Sequence, residues 1–290
     1  MNHVSAHQDA TAAASSTVRS SVSQPHGERI AVIGMGAMGR RVVSSLRAGA
    51  YGDLPVAGFD PHGDAALLKR DLNVELFSTV DELLAWKPTV VVECAGHQAV
   101  EHVVAQCLER GVDAIVASVG ALSSDALRAK LHDAQLSGQS ELTVVSGAIG
   151  GLDALSAARG SGLQSVRYIG RKPPRAWVGS PAEAQFDLTA ITEPTVIFEG
   201  SAAESARLYP KNANVTAAVA LAGVGFENTV VTMMADPSVD KNVHEVEATG
   251  PFGRLVIRLE NNPLPDNPRT SWLAALSIED AILRRLQHVI

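Results

Sequence analysis

Aromatic residues make up only 4% of this 290-residue chain, and cysteine occurs twice, at Cys94 and Cys107. Two cysteines in apolar surroundings, without metal-type spacing, exclude a disulfide-stapled scaffold and a zinc module. They read as reduced, buried thiols of a cytoplasmic protein. No apolar run is long enough to span a bilayer, which argues against a membrane partner. Basic residues are the minority, 24 against 31 acidic, and the net charge of −7 argues against nucleic acid as a partner. Residues 1–27 have no apolar periodicity, no hydrophobic h-region and a single arginine, Arg19. They are expected to form a disordered tail rather than a signal or transit peptide. The remainder has an ordinary globular make-up and the length for two domains.

What is present starts at Ile30. Ile30-Ala31-Val32-Ile33 reads as a strand running into Gly34-Met35-Gly36-Ala37-Met38-Gly39, a G-x-G-x-x-G, and a helical apolar pattern (Val42, Val43, Leu46) follows at once. The first glycine permits the tight turn, the second lets backbone approach a pyrophosphate, and the third allows close helix–strand packing. A second strand ends in Asp60, 21 residues past Gly39. A carboxylate there accepts hydrogen bonds from an adenine ribose and repels a 2′-phosphate. NAD is therefore the expected cofactor, although His62 or Lys69 offers partial compensation that leaves NADP open. The bland alternative is a structural glycine turn in a nucleotide-free domain.

Strand and helix alternate from Glu28 onward. Strands are expected at 30–34, 54–59, 74–77, 90–93, 113–118 and 141–146, with helices at 37–48, 63–71, 98–110 and 124–135. Thr79-Val80-Asp81-Glu82 has capping-box form and opens a further helix. The fold class is α/β: a Rossmann-type, doubly wound parallel sheet over residues 28–147. Ser146-Gly147-Ala148-Ile149-Gly150-Gly151-Leu152-Asp153 then forms a crossover, after which strands are longer and alternate. Residues 148–262 are expected to be an α+β substrate domain whose sheet needs covering, hence a homodimer. Asn261–Pro268, with three prolines, reads as a linker. Residues 263–290 end in a helix that packs back on the nucleotide domain.

Nicotinamide chemistry needs a group that moves a proton, and of nine histidines two are placed for it. His97 follows the carboxyl end of strand 90–93, where ligands bind in such sheets; equally, it is a helix N-terminal residue bonding backbone. His244 shares the inward face of its strand with Val246 and Ala248, opposite Glu245 and Glu247. That makes it a satisfied core imidazole or part of an enclosed site. Cys94 is a conceivable nucleophile, but nothing cationic flanks it and a packed thiol is the simpler account. Gly170-Arg171-Lys172-Pro173-Pro174 is a solvated turn or a cationic clamp for a small acid; Asn214 caps a helix or holds a carboxamide or substrate, and Asn212 beside it is a further substrate candidate. No spacing suggests a metal.

In this order the glycine turn, the 146–153 junction, Tyr209-Pro210-Lys211-Asn212-Ala213-Asn214-Val215, Asn242-Val243-His244-Glu245 with Gly250-Pro251-Phe252-Gly253, and the stretch from Asn262 to Ser271 resemble the L-aspartate dehydrogenase family over almost everything after the tail. The resemblance implies NAD(P)-dependent oxidation of L-aspartate to iminoaspartate, which can feed NAD biosynthesis. It makes His244 the active-site residue and Ala148 and Asn214 cofactor contacts. Arg171, Lys172, Asn212 and His97 stay as substrate-binding candidates. Fold alone leaves room for a homoserine dehydrogenase, a dihydrodipicolinate reductase or a non-catalytic NAD(H) sensor.

Overall fold

The computed structural model describes residues 27–49, 51–264 and 267–287. The expected tail lies, apart from Gly27, outside the described residues. In chain order β1 (Ile30–Ile33), α1 (Ala37–Ala48), β2 (Val56–Phe59), α2 (Ala65–Leu72), β3 (Glu75–Phe77), α3 (Val80–Ala85) and β4 (Val90–Glu93) form the first half of a layered unit. A helix over 97–109 follows, built from α4 (His97–Ala99), a π-helical section (Val100–Val104) and α5 (Ala105–Glu109). Then come β5 (Asp113–Val116), α6 (Asp125–Gly138) and β6 (Leu142–Val144). All six strands are parallel, in the order β3-β2-β1-β4-β5-β6. The direction of winding reverses between β1 and β4, which leaves a crevice at their carboxyl ends.

Successive residues of β1 serve two different cores. Ile30 and Val32 pack with Val42 and Val43 of α1, while Ala31 and Ile33 pack with Val100, Val104 and Leu108 on the other face. A strand buried on both faces must be apolar throughout, which is why 30–33 shows no alternation. α3 opens on the expected capping box: Thr79 Oγ1 accepts from the Glu82 N–H at 3.3 Å, and the Glu82 carboxylate accepts from the Thr79 N–H at 3.1 Å.

Past a junction where Gly147 and Gly151 both take φ +69° come α7 (Leu152–Ala158), β7 (Ser165–Lys172), β8 (Thr195–Ser201), α8 (Ala202–Leu208), α9 (Ala213–Ala222), β9 (Thr229–Ala235), β10 (Asn242–Gly250) and β11 (Gly253–Asn261). Their sheet runs β11-β10-β7-β9-β8, with only β7 and β9 parallel. Val166, Tyr168, Val231, Met233, Val246 and Ala248 point into one core with residues of α8 and α9. The registered opposite face carries Arg167, Arg171, Glu245, Glu247 and Arg258 with the exposed Val196, Val230 and Val256.

The stretch expected to be a linker is instead a small antiparallel ribbon, β12 (Pro263–Leu264) with β13 (Asn267–Ser271). Both of its strands are edges, so prolines cost it no interior ladder bonds. α10 (Trp272–Gln287) does pack back on the first sheet, through Ile278, Ile282 and Leu286 against the core of Ile30 and Val32. Arg285 fastens it by reaching Asp113 at 2.6 Å, and Glu279 accepts from Ser45 Oγ at 2.6 Å. Among the described residues no helix is long and apolar enough to cross a membrane.

Candidate active site

The three glycines of the turn have three separate reasons to lack a side chain. Gly34 sits at φ +87°, and a Cβ there would lie 2.6 Å from Ala95 Cα. At Gly39 a Cβ would lie 2.0 Å from the Gly34 carbonyl oxygen, so helix and strand touch there. Around Gly36 nothing stands within 4 Å of that position, which leaves its backbone open to a ligand. Gly36 provides no side-chain cap for α1, and the first turn holds no acidic residue. Nothing therefore competes with an anion for the N–H groups of Ala37 and Met38, and the turn fits a dinucleotide pyrophosphate. Asp60 stands beside it: its carboxylate accepts from the Met35 and His62 N–H groups, each at 3.0 Å.

A cleft of about 310 Å³ joins this turn to the second sheet. Gly36, Ala37 and Met38 line one wall, Gly147 and Ala148 the junction, and Tyr168, Lys172, Asn212, Asn214, Asn242 and His244 the facing wall. His244 is 4% exposed. Its Nδ1 lies 2.8 Å from the Tyr168 hydroxyl, whereas its Nε2 has no hydrogen-bond partner among the described residues. Burial, and then the charge of Lys172, push the imidazole down to about 3, so the ring is neutral at physiological pH. Lys172 donates to Asn212 Oδ1 at 2.6 Å and lies 5.3 Å from the Trp177 ring centroid. Desolvation brings it down to about 8. A larger groove of about 810 Å³ runs between α10 and β6, lined by Glu28, Asp113 and Glu141 among others. None of the expected site residues faces it, so size does not decide in its favour.

The candidate residues divide by where the chain sends them. Lys172 and Arg171 are neighbours on β7 and therefore point to opposite faces. Lys172 enters the cleft, but Arg171 lies on the outer face, 3.3 Å from Glu245 and 3.6 Å from Asp236. Arg171 is thus no clamp for a ligand in this cleft. His97 is likewise outside it, in a recess with Glu101 and Lys130, where a Cβ on Gly120 would meet its Nε2 at 2.7 Å. Asn214 does not cap α9. It stands inside the first turn and its Oδ1 accepts from the Gly120 N–H at 2.9 Å, tying the second domain to the first. Ala148 lines the cleft, and its carbonyl accepts from Asn261 Nδ2 at 2.8 Å. Cys94 also borders the cleft, but desolvation and the adjacent Glu93 push its thiol up, away from the nucleophilic form.

Several contributors were not among the sequence candidates. Tyr168 and Asn242 had a usable signal, since each lies two residues from a cleft position (Gly170, His244) on the same strand face. Trp177, fully buried with its Nε1 donating to the Met234 carbonyl at 3.1 Å, ends a short 3₁₀ turn (Pro174–Trp177) and had none. Ser271, which accepts from Asn242 Nδ2 at 3.1 Å, lies past the expected linker and ends β13, just before the final helix. Glu93, completely buried at the end of β4, accepts from the N–H groups of Ala95, Gly96 and Ser118 and from Ser118 Oγ. It welds the loops after β4 and β5 together beneath the cleft.

A parallel sheet with this order and glycine turn, sharing an enclosed imidazole with a mixed-sheet domain, defines a two-domain NAD(P)-dependent oxidoreductase. Comparison with known proteins narrows this. Residues 34–144 match the homoserine dehydrogenase NAD-binding domain, and residues 153–285 match the aspartate dehydrogenase C-terminal domain. L-aspartate dehydrogenase of Cupriavidus taiwanensis is 44% identical over 261 residues, 90% of this chain and 98% of that protein. The Ralstonia pickettii L-aspartate dehydrogenase is 52% identical over 200 residues, 69% of this chain and 75% of that one. The crystal structure of aspartate dehydrogenase from Thermotoga maritima superposes with a TM-score of 0.69 at 28% identity, covering 91% of this chain and 97% of the other. The chain belongs to the L-aspartate dehydrogenase family. The resemblance drawn from its motifs is therefore borne out.

The glycine geometry separates binding from stability. Gly39→Ala is expected to destabilise at the upper end of about 1–3 kcal/mol or beyond, because the obstructing atom is backbone. Gly36→Ala should leave the urea midpoint near wild type but weaken NADH binding on the order of tenfold, about 1.4 kcal/mol. Denaturation and fluorescence titration of the two variants check this.

Proposed function

We propose that this protein oxidises L-aspartate to iminoaspartate, which water converts to oxaloacetate and ammonia, with NAD preferred over NADP. The observation that carries this is the bare, buried Nε2 of His244 in a cleft shared by the glycine turn and the Lys172 ammonium. Gly34 to Gly39 hold the pyrophosphate, Asp60 the adenine ribose, and Ala148 and Asn214 border the nicotinamide. When bound, the nicotinamide supplies the hydride acceptor.

The amine of aspartate must be neutral before the α-hydrogen can leave with its electron pair and the nitrogen lone pair can form C=N. His244 takes the amine proton at Nε2, directly or through a water, and returns it when the imine is reduced. A neutral imidazole is the form able to accept it. A bound dicarboxylate opposes the Lys172 charge, one of the two causes of the depressed value, and so strengthens His244 as a base. Lys172 faces a substrate carboxylate, with Asn212 holding the ammonium in place. The imine's supply to NAD biosynthesis is the destination that family membership suggests. The outer face of the mixed sheet, with Val196, Val230 and Val256 exposed among paired charges, supports a homodimer through that face.

Turnover decides the reading. NADH absorbance should grow with aspartate and NAD but not with homoserine; NAD binding without turnover would instead indicate a sensor. His244→Ala is expected to lower kcat by about 10²–10⁴-fold with NADH affinity little changed, and full activity in that variant would remove the assigned role. Succinate, which lacks the amine, isolates the clamp. Lys172 loses its proton as pH rises through about 8, so succinate inhibition should weaken by up to about tenfold per pH unit above that value. Lys172→Met should bind succinate weakly with no such pH dependence. For the dimer, Val230→Glu with Val256→Glu should sediment as a monomer while the unaltered protein sediments at twice that mass.

A further inference from the structure

Resting on the assignment of proton transfer to His244, we propose that Tyr168 is the positioning residue that presents His244 Nε2 to the substrate. Gly170 is glycine so that the Tyr168 hydroxyl has room to do this.

The two strands set up the geometry. On β7 and β10, Gly170 registers with His244 and Tyr168 with Val246, so tyrosine and histidine are diagonal neighbours on the inward face. Their rings lie 21° from parallel with centroids 6.0 Å apart, and Oη stands 2.8 Å from Nδ1. Directly opposite the histidine, a Cβ on residue 170 would come within 2.7 Å of that hydroxyl and 3.2 Å of Cζ. Even an alanine would have to push the phenol away.

The chemistry of the partner matters as much as its place. A phenol both donates and accepts. It donates to a bare Nδ1 when the imidazole proton sits on Nε2, and it accepts from Nδ1–H when Nε2 is bare or the ring is charged. Nδ1 is therefore satisfied in every protonation state, and Nε2 is the only nitrogen offered to the cleft. A carboxylate in the same place would raise the imidazole's proton affinity and set a further negative charge against a dicarboxylate substrate. Tyrosine orients the ring without charging it.

The test is a double-variant cycle. Tyr168→Phe keeps the stacked ring and deletes the hydroxyl. It should lower kcat for aspartate oxidation by about 10- to 100-fold, with the NADH dissociation constant within about twofold and the urea midpoint lowered by no more than the loss of one buried hydrogen bond explains. Gly170→Ala should also lower kcat in the wild type, by displacing the hydroxyl. Placed in Tyr168→Phe, where there is no hydroxyl to displace, it should cost much less. Wild-type kcat in Tyr168→Phe, or an equal cost of Gly170→Ala in both backgrounds, overturns the proposal, as does a kcat loss matched by lost stability and cofactor affinity. If Gly170→Ala does not fold, Tyr168→Phe alone decides. An inactive His244→Ala beside a fully active Tyr168→Phe would sink this inference and spare the proposed function, whereas no aspartate turnover by the unaltered protein would sink both.

Discussion

A buried imidazole with one nitrogen bonded and the other bare is held in place by the whole second domain, and much of the cleft's design can be understood from its cost. An unpaired polar atom out of water costs about 1–3 kcal/mol. A protein core normally avoids that by finding a partner, yet around His244 Nε2 the described residues supply none. A polar substrate group set against Nε2 would complete its hydrogen bonding, which favours a ligand that carries a donor or acceptor there.

The nucleotide domain contributes the other wall, and a small set of polar contacts keeps the walls in register. Asn214 meets the Gly120 N–H, Asn261 meets the Ala148 carbonyl, and Ser277 Oγ of α10 accepts from the Gly147 N–H at 3.1 Å. Each joins a segment bordering the cleft to a different part of the chain. The buried Glu93, satisfied by four donors, stiffens the floor. The apolar core is also continuous between the two sheets, with Ile33 and Val116 in the same cluster as Val166, Trp177 and Val246. Cleft geometry therefore rests on packing shared between domains rather than on either alone.

Charge is distributed by strand alternation. One step along β7 separates Lys172, inside and desolvated, from Arg171, outside and ion-paired. On β10 the same step separates His244 from Glu245, which also pairs with Arg258. The inner face is thereby left with one cation beside one neutral base. That combination suits a dianionic substrate that must lose a proton from its amine. Had the register slipped by a residue, the inner face would carry Arg171 and Glu245 and the imidazole would face outward.

Sequence by itself determined the alternating strands and helices of the first domain and the glycine turn at the end of its first strand. The glycine turn, Asp60, the capping box at Thr79 and the unbroken apolar strands are local patterns, and local sterics, capping and two-sided burial suffice to explain them. It also determined that His244 points inward, because period two is a property of a single strand. Tertiary structure alone decided what meets at that inward face. Tyr168 reaches His244 diagonally across a strand pair, and Asn214 abandons its helix end for Gly120 in the other domain. Ser271 arrives from the far end of a ribbon whose proline-bearing first part reads as a linker. His97, well placed on paper, was turned into a separate recess. These outcomes depend on contacts between residues tens of positions apart. Such contacts are set by register and domain packing, which no short window of sequence contains.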